Sequence, residues 1–157
     1  MTTIRPICAN DLVPLGQLLR AIEQFNAEEV GVAEELLAGA ATDPDGSGYH
    51  ALVVEDDGDV AGYVCFGPTP MTQSTYDLYW IAVDPGRQGR GLGRALYTGF
   101  AAWLRAKGGS QVRIETSSRE LYAATGGFYE RLGFQVDGRL RDFYAPGDDL
   151  LIFYRKV

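Results

Sequence analysis

The spacing of apolar residues changes along the chain, and each spacing predicts a different element. Residues 3–8 read as a first strand, and Asp11 is a candidate N-cap for the helix that follows it. A second, weaker helical pattern covers residues 28–41, and residues 43–48 carry turn chemistry. The apolar positions of the first helix recur at helical spacing at Leu15, Leu18, Leu19, Ile22 and Phe25.

The remaining two thirds of the chain alternate between strand patterns and helix patterns. Strands are predicted at 49–55, 60–66, 75–83, 112–116, 134–139 and 150–156, with turn residues at 56–59 and 145–148. A strongly amphipathic helix is predicted at 91–107, and a short one ends near Leu132. The pattern predicts one domain over residues 1–157: an α/β (α+β) fold with a mixed, mostly antiparallel sheet of about seven strands and about four flanking helices.

Composition and charge narrow the classes of function. Hydrophobic residues make up 46% and charged residues 22% of the chain, as in soluble globular proteins, and no apolar run is long enough for a membrane helix. Residues 1–11 lack the pattern of a secretion signal, so a cytoplasmic location is expected. A net charge of −7 argues against nucleic acid as a partner. It favours a cationic small molecule or basic peptide, or serves solubility alone.

The sequence offers little support for a metal site or for a catalytic nucleophile. Cys8 and Cys65 lie far apart in predicted strands, where both are expected to be small core residues. His50 is the single histidine, so no zinc site is predicted. No G-x-S-x-G motif is present to serve a Ser-His-Asp triad.

The most informative segment is 79–94, which runs from a strand through a glycine-rich turn into a helix. Gly89, Gly91 and Gly93 lack side chains, so the backbone N–H groups around them can approach an anion at the positive end of a helix dipole. The positive charges here, in an otherwise acidic chain, come from Arg87, Arg90 and Arg94. Together these features predict a pyrophosphate site.

Other phosphate motifs fit the segment poorly. A P-loop would end in Gly-Lys-Ser/Thr, whereas this chain has Gly-Leu-Gly-Arg. A dinucleotide-binding turn would lie in an early βαβ unit, whereas this turn lies past mid-chain. A glycine turn that binds no ligand is the remaining alternative.

Two motifs resemble the GNAT N-acetyltransferase superfamily. Residues 88–93, Gln-Gly-Arg-Gly-Leu-Gly, are similar to its acetyl-CoA motif Q/R-x-x-G-x-G/A, and residues 128–134, Phe-Tyr-Glu-Arg-Leu-Gly-Phe, are similar to its later F/L-Y-x-x-x-G-F element. The order of elements along the chain is similar too. The resemblance implies a sheet splayed at the acetyl-CoA site and transfer of an acetyl group from acetyl-CoA, a cosubstrate needing no metal, to an amine.

The resemblance also implies roles for individual residues. The backbone of Ile81 and Val83 would pair with the pantetheine arm, and the N–H of Ala82 or Val83 would stabilise the oxyanion. Tyr129 would protonate the departing thiolate, and Arg131 is a weaker candidate for coenzyme binding. The residues assigned to the coenzyme are Ile81, Ala82, Val83, Arg87, Gln88, Gly89, Arg90, Gly91, Leu92, Gly93, Arg94 and Thr125.

The proposed reaction is attack of a neutral amine on a thioester. Deprotonating a lysine-type amine of pKa about 10.4 at pH 7 costs roughly 4.6 kcal/mol, whereas an α-amino group of pKa about 7.7–8.0 costs about 1 kcal/mol. A base is therefore more necessary for the first acceptor. Glu115, in the strand expected beside the coenzyme, is the first candidate; Glu23, Glu28 and Glu29 are its rivals.

Several alternatives stay open at this level. The chain could be a non-catalytic acyl-CoA-binding or sensing module, although Tyr129 would then have no use as a proton donor. Phe143 and Tyr144 could line the acceptor pocket or a dimer contact, and a homodimer is an alternative to a monomer. The sequence identifies neither the acceptor, which could be a small amine, an amino acid or a peptide N-terminus, nor the length of the acyl group.

Overall fold

The computed structural model describes residues 1–157 and contains one seven-stranded sheet in the order β1-β2-β3-β4-β5-β7-β6. All neighbouring strands pair antiparallel except β4 and β5, which are parallel. This confirms the predicted mixed, mostly antiparallel sheet. The strands are β1 (Thr2–Pro6), β2 (His50–Asp56), β3 (Asp59–Pro68), β4 (Thr75–Val83), β5 (Gln111–Ser117), β6 (Gln135–Ala145) and β7 (Asp148–Lys156).

Five helices accompany the sheet, and buried side chains on its two faces form two separate cores. One core lies beneath the amphipathic helix α4 and includes Leu96, Phe100 and Leu104. The other lies beneath α1 and α2 and includes Leu15, Leu19 and other residues of those helices. The helices are α1 (Leu12–Ala21), α2 (Ala27–Thr42), α3 (Pro44–Ser47), α4 (Leu92–Ala106) and α5 (Ala123–Arg131). None of them combines the length and the apolar character needed to cross a membrane.

Three local predictions were wrong. Asp11 does not cap α1, because its carboxylate accepts hydrogen bonds from the Arg5 guanidinium and the Cys8 amide, all at 2.8 Å. Cys8 is exposed, so only Cys65 is the buried thiol that was expected of both. Helix α1 ends at Ala21, which leaves Phe25 in the connection to α2 although its spacing fits the helix.

Two segments expected to be irregular or short are more ordered than predicted. The 43–48 turn contains the single helical turn α3, whose first residue, Pro44, is compatible with the start of a helix. Strand β6 extends to Ala145, well past the predicted end at 139, and lies at the exposed edge of the sheet. The two strands form a hairpin through residues 146–147, and their register shifts between Leu140 and Ala145, an irregularity that strand periodicity does not predict.

Candidate active site

The sheet divides between β4 and β5, and a cleft opens where it does so. Pairing of these two strands ends at Asp77 and Arg113. Beyond that point β4 stays paired with β3 as far as Val83, and β5 stays paired with β7 as far as Ser117. The second half of β4 therefore has a free edge toward the cleft.

Along that free edge, every second residue directs its backbone N–H and C=O groups into the cleft. The Asp84 N–H donates to the Ala61 carbonyl of β3 at 2.8 Å, so Ala82, two residues earlier, also directs its peptide groups toward β3. The N–H and C=O groups of Ile81 and Val83 point the other way, into the cleft. The geometry thus favours Val83 over Ala82 as a donor to a bound group.

The loop from β4 to α4 presents backbone N–H groups that have no partner in the chain. No N–H from Gln88 to Arg94 donates a hydrogen bond within the protein, and Gly91, the N-cap of α4, has no side chain to cap the helix. Gly89 and Gly91 adopt left-handed φ values of 80° and 78°, with open space where a Cβ would be. Unpaired amides at a helix N-terminus fit a diphosphate.

The arginines of this loop differ in their partners. Arg87 binds Asp56 and Asp59, with its Nη2 atom 2.9 Å from Asp59 Oδ2, and Arg90 Nη1 lies 3.0 Å from Asp56 Oδ2. The two guanidiniums are therefore neutralised by acids of the β2–β3 hairpin. Arg94 forms no ion pair; it donates a long hydrogen bond of 3.4 Å to the Arg131 carbonyl and lines the cleft.

The cleft has two connected parts. The part we call the loop end encloses about 440 Å³ and is bordered by the 88–94 loop and α5. The part we call the aromatic end encloses about 130 Å³ and is bordered by Phe25, Trp80, Tyr122 and Glu115. The residues that line both parts, and so lie where they meet, are Gln24, Ile81, Val83, Gln88, Thr125 and Tyr129.

Tyr129 lies at this junction on α5 and is only 3% exposed. Its ring centroid lies 5.6 Å from that of Phe153 and 6.1 Å from that of Phe134, which hold the ring in place. Burial raises the pKa of the Tyr129 phenol well above its usual range, because the anion would lose its solvation. The side chain is therefore a neutral O–H donor at physiological pH.

The carboxylates predicted as bases occupy different places. Glu115 lines the aromatic end, is 43% exposed, and has its Oε1 atom 3.7 Å from Arg113 Nη1. Glu23 and Glu28 are exposed and lie outside the cleft lining. Glu29 accepts a hydrogen bond from the Tyr122 hydroxyl at 3.0 Å. Of these four, only Glu115 lines the cleft.

Several lining residues were missed by the sequence reasoning. Gln24 and Phe25 approach the cleft because α1 ends early, and Tyr122 reaches it from the loop after β5. Trp80 could have been predicted as a lining residue, since it lies inside segment 79–94, which carries the motif. The other aromatic residues that were considered, Phe143 and Tyr144, are half exposed and outside the cleft lining.

The class of protein follows from a comparison with known families. A family model described as an acetyltransferase (GNAT) domain matches residues 47–136. The chain therefore belongs to the GNAT acetyltransferase family, which confirms the resemblance seen in the sequence.

Individual relatives agree with this assignment. A solved structure assigned to the GNAT acetyltransferases, from Desulfovibrio desulfuricans, is 40% identical, covers 99% of both chains and has a TM-score of 0.95. A mycothiol acetyltransferase from Beutenbergia cavernae is 38% identical over 82 residues, which are 52% of this chain and 27% of that relative's length. YncA from Salmonella typhimurium, solved with acetyl-CoA, shares the fold at 21% identity, covers 99% of this chain and 93% of its own, with a TM-score of 0.74.

Proposed function

We propose that residues 1–157 act as one N-acetyltransferase domain that moves an acetyl group from acetyl-CoA to a primary amine. The observation that carries the proposal is the meeting, in one cleft, of unpaired loop amides, the free edge of β4 and the buried phenol of Tyr129. Release of coenzyme A thiol that depends on an added amine, with an acetylated product found by mass spectrometry, tests it. A cytoplasmic location and a homodimer stay predictions.

The coenzyme would lie along the loop end. The amides from Gln88 to Arg94 would hold the diphosphate, and the peptide groups of Ile81 and Val83 would pair with the pantetheine arm. Thr125 faces both parts of the cleft and would contact the same arm. Acetyl-CoA supplies the thioester; a longer acyl group is the alternative donor.

The chemistry would take place where the two parts of the cleft meet. The Val83 N–H points into the cleft and would stabilise negative charge on the carbonyl oxygen. Tyr129 would donate its proton to the departing sulfur, since its raised pKa keeps the phenol protonated. Glu115 would accept the proton of the incoming ammonium, directly or through water. The second proton, which the nitrogen loses as the amide forms, would return through water to Tyr129.

Replacing Glu115 by Gln tests the base. For an acceptor of high amine pKa we expect kcat/KM at pH 7 to fall by about 10²- to 10⁴-fold, because the amide cannot take the proton. The deficit should shrink as the pH approaches 10 and solvent deprotonates the amine. The lost ion pair with Arg113 is exposed and contributes little to stability. Glu120→Gln, an exposed neighbour outside the cleft lining, is the control; equal pH–rate profiles for the two variants would rule Glu115 out.

The ion-pair partners of the loop arginines predict which of them contributes more to acetyl-CoA binding. Arg94→Gln should raise the KM for acetyl-CoA by about tenfold, because its charge is free to meet a phosphate. Arg87→Gln should raise this KM less and lower the thermal stability more, because it breaks contacts with Asp56 and Asp59. Initial rates at varied acetyl-CoA and thermal melts of both variants make the comparison. The reverse order would assign the larger phosphate contribution to Arg87; the sequence analysis assigned both residues to the coenzyme.

A further inference from the structure

The aromatic end of the cleft is poor in charge. Glu115 is the one charged side chain among the residues that line it, and most of its other walls are apolar or aromatic. Arg113 lies behind Glu115 but is bound to Asp77, with its Nε atom 2.7 Å from Asp77 Oδ1, and it does not line the cavity. The space therefore offers one counter-ion for an ammonium and none for a carboxylate.

Aromatic rings that pack on one another form part of the apolar walls. Phe25 and Trp80 pack edge to face, with ring centroids 5.9 Å apart and planes at 77°. Such pairs suit an apolar or aromatic body, and an indole face also attracts an ammonium group. Tyr79 adds a third ring to the lining and packs edge to face on Tyr49 at 5.5 Å.

The hydroxyl of Tyr122, a residue of the aromatic end, connects two segments of the chain by hydrogen bonds. The Tyr122 hydroxyl donates to Glu29 Oε2 at 3.0 Å, and the Gln24 carbonyl oxygen lies 3.3 Å away. These contacts join the segment after β5 to the α1–α2 connection and to the first turn of α2. The aromatic end encloses only about 130 Å³, which suits a small molecule better than a polypeptide segment.

From these observations we infer that the acceptor is a small primary monoamine with an apolar or aromatic body. The inference rests on the proposed amine acetylation and specifies its substrate class. A zwitterionic amino acid would bring a carboxylate that finds no cation in the lining, and a desolvated, unpaired charge is costly. A polyamine would bring additional ammonium groups to a space with a single carboxylate.

A panel of four acceptors at saturating acetyl-CoA tests the inference: phenethylamine, phenylalanine, phenylalaninamide and spermidine. Phenethylamine and phenylalanine differ by a carboxylate beside an amine of similar basicity. We expect kcat/KM for phenethylamine to exceed the values for phenylalanine and spermidine by about tenfold or more. Phenylalaninamide, which lacks the negative charge, should recover most of the difference when kcat/KM is expressed per unprotonated amine, since its amino group is less basic.

Two variants test whether the aromatic end of the cleft determines the acceptor preference. Trp80→Leu should raise the KM for phenethylamine by about threefold to thirtyfold with little change in the KM for acetyl-CoA. Trp103→Leu, at the only other tryptophan, which packs on Phe66 away from the cleft, is the matched control. Thr116→Arg adds a cation to the lining and should narrow the gap between phenethylamine and phenylalanine.

The possible outcomes distinguish a failure of the proposed acetyl transfer from a failure of the proposed acceptor class. If no amine accelerates thiol release, the proposed acetyl transfer itself fails. If amines are acetylated but phenylalanine or spermidine equals phenethylamine, the acceptor class is wrong and the acetyl transfer stands. An unchanged acceptor preference in well-folded Trp80→Leu and Thr116→Arg proteins would also overturn the assignment to this cavity.

Discussion

Tyr129→Phe is expected to lower kcat by about 10²- to 10⁴-fold while leaving the KM for acetyl-CoA close to that of the wild type. The ring is 3% exposed and enclosed by Phe134 and Phe153, so phenylalanine should keep its position and remove only the hydroxyl. Without that O–H, the departing thiolate has no proton donor at the junction of the cleft. Steady-state kinetics with a responsive amine, together with coenzyme binding by calorimetry, separates loss of turnover from loss of affinity.

The pH profile adds a second check on Tyr129. Because burial raises the pKa of its phenol, the acid form persists above the usual tyrosine range near pH 10. The wild type should therefore show no basic decline in kcat from this group up to about that pH. Tyr97→Phe is a matched control, since Tyr97 is also buried but its hydroxyl accepts from Arg155 outside the cleft. A kcat for Tyr129→Phe within threefold of the control, at about 0.6 kcal/mol, would remove the assignment.

Gly91→Val is expected to weaken coenzyme A binding by about 100-fold or more. Gly91 has φ 78°, a region that costs a β-branched residue about 1–2 kcal/mol or more, so the loop should leave its conformation. Its amides would then no longer converge, and each hydrogen bond lost to a charged phosphate costs about 1.5–3 kcal/mol. Calorimetry and the thermal stabilisation given by acetyl-CoA both measure the loss.

Gly108→Val controls for backbone strain. Gly108 has φ 82°, also faces open space, and lies beyond the opposite end of α4. The Gly108→Val variant should lose stability to a similar extent as Gly91→Val and keep its affinity for the coenzyme. Gly93 is less suitable for this experiment, because a Cβ there would lie 3.0 Å from Phe128 Cζ and disturb the packing of α4 on α5. Wild-type affinity in Gly91→Val would show that the loop amides do not hold the diphosphate.

Much of the architecture was predictable from short stretches of sequence. Strand β4 was predicted at 75–83 and observed as Thr75–Val83, because β-branched and aromatic residues fill it and turn residues bound it. Helix α4 was predicted from its apolar face at 91–107 and observed as Leu92–Ala106. The left-handed conformation of Gly91 follows the same logic, since it depends on the residue itself and its neighbours.

Local rules failed where a contact outside the predicted element decides the outcome. Asp11 has the right position for an N-cap, but the Arg5 guanidinium binds its carboxylate more strongly than a helix amide would. Phe25 continues the spacing of α1, yet the helix ends before it and the ring packs on Trp80. Neither contact can be read from spacing along the chain.

By itself, the sequence of this protein determined the order of its strands and helices, the glycine loop at the start of α4 and the family to which the two motifs point. Those features depend on backbone preferences and periodicity over a few residues. Tertiary structure alone decided that β4 and β5 part after Asp77, that Arg87 is neutralised while Arg94 is free, and that Tyr122 meets Glu29 from the far side of the cleft. The reason is that strand pairing and ion pairing join residues that are distant along the chain, and only the folded chain brings them together.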